Sequence, residues 1–265
     1  MNRSFRRFSV GRRRVPLLVG GGLFAALTLW GLYALAGPQV GPPAAQMQDE
    51  GAMLVERFRH VEAASVSDAL EQLFGRRMYM THRMRPIFAS KFAGTALTVL
   101  LKKEEGHQGS AALKGMLEAI DQGPPGSVYM MVVEGGEDIA GIGGLMGTAM
   151  AARGFAGAVI DGGVRDITHL QKLAFPVFAL GVVPSTSVNH YRFAGSNITV
   201  LCDGVEVHPN DIVAADSDGV VVVPRAQAKQ VIELAEQLDF KEHSMYGTIE
   251  KLKSILKAVE QFGRI

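Results

Sequence analysis

The chain has 265 residues, 48% hydrophobic, 20% charged and 7% aromatic, with 31 glycines, a formal net charge of +1 and a single cysteine, Cys202. That apolar content excludes a disordered chain, and one cysteine excludes both an internal disulfide scaffold and a zinc site built on cysteine pairs. Six of the 27 basic residues are arginines within residues 3–14, so the rest is net acidic and lacks the footprint of a nucleic-acid-coating protein.

From Val15 to Ala36 no residue is charged. A helix of that length spans about 33 Å at about 1.5 Å per residue, enough for a bilayer core. One N-terminal hydrophobic helix is therefore predicted, acting as signal peptide or membrane anchor over 1–36. Arginines stay on the cytoplasmic side, so a membrane-anchored or exported, periplasmic body is expected. Ala34-Leu35-Ala36 fits a signal-peptidase site, while the length of the run fits a retained anchor equally well. An arginine-rich organelle presequence is a third option. Residues 37–50, opening with Gly37-Pro38 and including Pro42-Pro43, read as a linker, and 51–265 as one domain with a helical tail.

Within that domain Met53 to Ala64 reads as a helix, and Ser65 to Glu71 supplies polar caps before a second one. Phe92 to Leu101 reads as a strand, Ala111 to Asp121 as a helix, and Ser127 to Val133 as a buried strand after the Gly123–Gly126 turn. A helix entered through glycines is predicted over Ile139 to Arg153, then a strand from Ala156 to Ile160. Asp161 to Asp166 breaks that strand and opens a helix from Ile167 to Leu173, and Pro176 to Leu180 is another strand. Short strands at 197–201, 205–207, 211–214 and 220–223 alternate with turns, and a helical tail runs from Arg225 towards Phe262. The order implies an α/β domain with a mixed sheet.

Two glycine-rich turns stand out. Gly141-Ile142-Gly143-Gly144-Leu145-Met146-Gly147 runs into a helix, and free N–H groups at a helix start make an anion cradle. It lacks the lysine and Ser/Thr of a nucleotide loop, so a small carboxylate fits better than a triphosphate. In the second turn Arg165 can grip a carboxylate or an oxyanion, and Asp166 is a hard oxygen donor suited to Mg²⁺ or Mn²⁺. A purely structural reading is open for both: a backbone turn at 141–147, and Asp166 capping the next helix while Arg165 pairs with Asp161.

The ordered series of Gly143 to Gly147, Ala152-Arg153-Gly154, Val159 to Asp166, Pro176 to Ala179, Asp203-Gly204-Val205, Pro209 to Asp216 and Asp218 to Arg225 resembles one superfamily. It comprises the 4-hydroxy-4-methyl-2-oxoglutarate aldolases and the RraA-like regulators of ribonuclease E activity. The resemblance implies a swivelling α/β/α-type domain in a homotrimer or hexamer. It implies a divalent-metal-dependent lyase that cleaves a 4-hydroxy-2-oxo acid to pyruvate or decarboxylates oxaloacetate, or else a non-catalytic regulator. Carried over by position, the backbone of Gly143, Gly144, Leu145 and Met146 holds the substrate carboxylate, Arg165 binds substrate and steadies the enolate, and Asp166 holds the metal. Asp161 and Glu242 are candidates for the surrounding shell, the second reaching in from a neighbouring protomer, with Glu236 as its alternative. One position departs: the aldolases carry an acid where this chain has Gly144. Glu137 and Asp138 lie close by in sequence.

The histidines, His169 among them, show no metal-ligand spacing, and Ser185-Thr186-Ser187 lacks a nucleophile elbow. Met78, Met80 and Met84 read as core filler, and Tyr79 to Arg85 as a protomer contact.

Overall fold

The computed structural model describes residues 44–106 and 109–263. The predicted hydrophobic helix and its cleavage site lie outside the described residues. Helix α1 (Ala44–His60) starts inside the stretch read as linker. Helix α2 (Ala63–Phe74) follows, and it begins before the residues read as its caps. Ser65 is buried within it, its hydroxyl donating to Asp239 Oδ1 at 3.3 Å.

Then come β1 (Arg85–Pro86), β2 (Phe92–Lys103), a 3₁₀ turn at Gly109–Leu113, α3 (Lys114–Gln122) and β3 (Ser127–Val133). They lead into β4 (Ala140–Ile142), α4 (Gly144–Ala152), β5 (Gly157–Val164), α5 (Ile167–Lys172), β6 (Val177–Val182) and β7 (Tyr191–Ser196). The last third holds β8 (Val200–Cys202), β9 (Val205–Val207), β10 (Ile212–Asp216), β11 (Gly219–Val223), α6 (Ala228–Leu252) and α7 (Ile255–Phe262).

Nine strands form one mixed sheet in the order β1-β6-β5-β3-β2-β10-β11, with β4 beside β5 and β7 beside β2. Strands β2, β3, β5 and β6 are parallel. Every residue of β3 is buried, which a strand covered on both faces requires. Its alternation sorts the core: Val128, Met130 and Val132 join the cluster that includes Val66, Leu70, Val231 and Ile232 of α2 and α6. Tyr129, Met131 and Val133 join the cluster under α3, α4 and α5, with Ile120, Met150 and Leu170.

The segment after α2 links the two ends of that order. Met80 N–H donates to Val220 O and Val222 N–H to Met78 O, at 3.0 and 2.9 Å, along β11. A few residues later Arg85 and Pro86 pair with β6. The sheet is thereby nearly closed, and Met78, Met80 and Met84 are buried behind the seam.

Three local expectations are corrected. The helix expected from Ile139 is strand β4 first and helix only from Gly144, because Ala140 and Ile142 pair with β5. The strand expected to break at Asp161 continues to Val164, since β4 and β6 flank it on both sides. The tail is two helices, parted at Lys253 in the left-handed region (φ 51°), with Ser254 capping the second.

The expected membrane-anchored or exported body is also corrected. No helix among the described residues is long and apolar enough to cross a membrane. Helix α6, 25 residues long, is studded with charge, including Lys229, Glu233, Glu236, Asp239 and Lys241.

Candidate active site

Strand β5 ends by delivering Arg165 and Asp166 to the head of α4. Asp166 adopts the left-handed conformation, φ 59° and ψ 37°, a cost of about 1 kcal/mol for a residue with a side chain. Its carbonyl accepts the N–H groups of His169 and Leu170, which starts α5. Its carboxylate makes no capping bond to α5. Instead Oδ2 accepts the N–H of Gly144 at 2.8 Å.

Arg165 does not pair with Asp161. Its Nη1 donates to Ser185 O at 3.1 Å, and its Nε stands 3.9 Å from Asp166 Oδ2. Both side chains are about half exposed, at 45% and 51%. Asp166 is thus the N-cap residue of α5 through its backbone, as the structural reading has it, while its carboxylate turns to α4 and Arg165 turns to Ser185 and not to Asp161. Ser185 ties this corner together: its hydroxyl donates to Asp138 O at 2.8 Å and accepts the N–H of Ala140 at 3.0 Å.

Glycine leaves room beside the pair. A Cβ on Gly143 would lie 2.7 Å from Asp166 Oδ2 and 3.0 Å from Arg165 Cγ. One on Gly144 would lie 3.1 Å from His169 Cδ2. Of the amides expected to cradle a carboxylate, that of Gly144 is taken by Asp166. Helix geometry leaves those of Leu145 and Met146 without an intrahelical acceptor. A cavity of about 420 Å³ opens here, lined by Gly144, Leu145, Asp166, Ile167, Thr168 and His169. Leu145 stands on its rim, 91% exposed.

Asp161 and Glu242 do not line this cavity. Asp161 lies within β5 and accepts the N–H of Asp203 at 2.7 Å. Burial, reinforced by the charge of Asp203, pushes its pKa up. Glu242 sits on α6, where it accepts the hydroxyl of Tyr246 at 3.0 Å. Of the cavity and corner residues, Ser185 and His169 are set aside by the sequence and Thr148 is not singled out by it. Only the placing of His169 one helical turn after Asp166 offered a signal.

Among the described residues no group of three or more His, Cys, Asp and Glu side chains is placed to hold a metal ion. An ion at Asp166 would have a single protein carboxylate, one oxygen of which is fixed by the Gly144 amide.

A family model described as RraA-like, Aldolase/RraA, matches residues 63–222. A relative from Halalkalibacterium halodurans, provisionally named 4-hydroxy-4-methyl-2-oxoglutarate aldolase, is 30% identical over 184 residues, covering 69% of this chain and 82% of its own. One from Albidiferax ferrireducens with the same provisional name is 32% identical over 137 residues, 50% of this chain and 76% of the relative. Among solved structures, an uncharacterized Pseudomonas syringae protein superposes with a TM-score of 0.70 at 26% identity, over 78% of this chain and 96% of that one. Streptomyces coelicolor RraAS2, described as an unusual member of the RNase ES inhibitor RraA family, superposes with a TM-score of 0.65 over 74% of this chain and 96% of its own. At 24% identity it shares the fold alone.

Proposed function

Because the chain belongs to the RraA-like family, we propose that it is a divalent-metal-dependent lyase that cleaves a 4-hydroxy-2-oxo acid to pyruvate and decarboxylates oxaloacetate. One observation supports the reading: Asp166 and the first residues of α4, Gly144 and Leu145, line one cavity, and Arg165 stands beside Asp166, its Nε 3.9 Å from Oδ2. The provisional names of the relatives support the same class of reaction.

The substrate carboxylate docks on the N–H groups of Leu145 and Met146, favoured by the helix dipole. The Arg165 guanidinium, oriented by Ser185 O, faces the 2-oxo oxygen. The bond between C3 and C4 breaks, its electron pair passes to the enolate of pyruvate, and the C4 hydroxyl gives its proton to water, to which the site is open at Leu145, as it becomes a carbonyl. Protonation of C3 then releases pyruvate. Arg165 stabilises the charge that appears on the enolate oxygen, the type of contribution that dominates such reactions.

The donor set at Asp166 suits a small hard cation such as Mg²⁺ or Mn²⁺, which is commonly held by one or two carboxylates and keeps several waters. Such an ion supplies Lewis-acid polarisation of the 2-oxo group when bound. Asp166 would hold it, and the Gly144 N–H would fix the carboxylate that does so. The site is open at Leu145, and chemistry of this kind is favoured in a dry pocket. We read that rim as covered by a second copy in a homotrimer or hexamer, from which Glu242 would come.

A binding or regulatory protein on the same scaffold is the competing reading, favoured by Gly144 standing where the aldolases carry an acid. Pyruvate release from 4-hydroxy-4-methyl-2-oxoglutarate and from oxaloacetate, with added Mg²⁺ or Mn²⁺, separates the two.

A further inference from the structure

The cavity at Asp166 is lined by one imidazole, that of His169. Its Nε2 stands 2.9 Å from Thr148 Oγ1. The Thr148 hydroxyl is also 2.7 Å from the carbonyl oxygen of Gly144, one turn back in α4. A carbonyl only accepts, so the single hydroxyl proton of Thr148 is committed to Gly144. The contact with His169 then holds only if Nε2 carries the hydrogen and donates. Which ring nitrogen is protonated follows from the bond the other makes, so the neutral ring is fixed as the Nε2–H tautomer and Nδ1 is a bare acceptor.

The ring is also fixed in place. Its Cδ2 edge lies over Gly144, where an added Cβ would come within 3.1 Å. With Cδ2 and Nε2 turned to α4, the edge bearing Nδ1 is turned away from that helix, on a residue that lines the cavity. Nδ1 has no partner among the described residues.

We propose that His169 Nδ1 accepts a hydrogen bond from the C4 hydroxyl of the substrate. His169 is thus the specificity-determining residue that favours 4-hydroxy-2-oxo acids over 2-oxo acids lacking that hydroxyl. Thr148 is a positioning residue, acting through the tautomer it imposes. The proposal rests on the lyase reading above and adds the feature of the substrate that the cavity selects.

The test compares kcat/KM for 4-hydroxy-4-methyl-2-oxoglutarate with kcat/KM for oxaloacetate, which has no C4 hydroxyl, in the full chain with Mg²⁺. His169→Gln keeps a donor near Nε2 but offers no acceptor at the position of Nδ1, and the ratio should fall about ten-fold, the loss of one hydrogen bond. His169→Asn keeps an acceptor near Nδ1 and should hold the ratio within about three-fold. An unchanged ratio in His169→Gln, or equal falls in both variants, overturns the proposal while wild-type turnover leaves the lyase reading standing. Wild type inactive on both substrates overturns both. A readout independent of turnover is the ¹⁵N spectrum of the His169 ring: the Nε2–H form is expected in wild type and a mixture in Thr148→Val. A ring protonated at Nδ1 in wild type contradicts the proposal.

Discussion

The N–H of Gly144 donates to Oδ2 of Asp166 at 2.8 Å, and this bond joins the first turn of α4 to the end of β5. It sets the carboxylate beside Arg165 Nε and leaves the next two amides of the helix open. The site is therefore built by two glycine-rich turns that meet through one hydrogen bond.

Crowding that junction should be costly for activity and mild for folding. Gly143 has φ −153°, extended backbone that alanine adopts freely, so Gly143→Ala acts only by contact. Its Cβ would press on Asp166 Oδ2 at 2.7 Å and on Arg165 Cγ at 3.0 Å. We expect kcat/KM for pyruvate release to fall at least about ten-fold, since misplacing a catalytic group by about 1 Å can cost 10²-fold. Circular dichroism should be unchanged, and an unaltered kcat/KM contradicts the assignment.

Arg165→Lys keeps the charge and loses the planar fork, including the Nη1 bond to Ser185 O. Its effect should fall on kcat, by about 10²–10³-fold, with a smaller change in KM. An effect confined to KM would mean that the guanidinium binds substrate without stabilising the transition state.

Asp161 carries a stability prediction with a defined sign. Burial and the charge of Asp203 raise its pKa in the folded chain above that of the unfolded one. The native state therefore holds the Asp161 proton more tightly, and wild type loses stability as pH rises from about 3.9 through the raised value. Asp161→Asn keeps an acceptor for the Asp203 N–H and removes the charge. It should be more stable than wild type at pH 7, with the difference shrinking towards pH 4, in urea midpoints at each pH. A pH-independent difference would count against this account.

Gly94 lets β2 approach the turn before β3 closely. A Cβ there would lie 2.3 Å from the carbonyl oxygen of Gly126 and 2.9 Å from Val128 Cγ2. Backbone on one side and a packed valine on the other leave little room to yield. Gly94→Ala should cost about 1–3 kcal/mol, the range for overpacking a core, read as a lowered urea midpoint. A shift under about 0.5 kcal/mol would show that β2 and the turn move apart easily.

Much of this was legible in the chain itself. The apolar run Ser127 to Val133 is a fully buried strand, and the ordered series ending at Arg225 pointed to the family matched over 63–222. Arg165 and Asp166 stand out as candidates because they follow a buried strand and lie in a specific motif.

What escaped depended on partners distant in sequence. Ala140 to Ile142 is strand only because β5 lies beside it, and Tyr191 to Ser196 pairs with β2 from about 90 residues away without an alternating pattern of its own. Asp161 looked like part of a turn, yet its two flanking strands carry β5 onward to Val164. The use of the Gly144 amide by Asp166 and the bond between His169 and Thr148 both span more than 20 residues, and no spacing rule encodes them.

The most direct test is pyruvate release from 4-hydroxy-4-methyl-2-oxoglutarate by wild type and Asp166→Ala, each with Mg²⁺ and then with excess chelator. Turnover in wild type that is lost with the metal, and lost in Asp166→Ala at full occupancy of folded protein, is the predicted result. Equal rates for the two proteins, or a rate indifferent to the chelator, would contradict it.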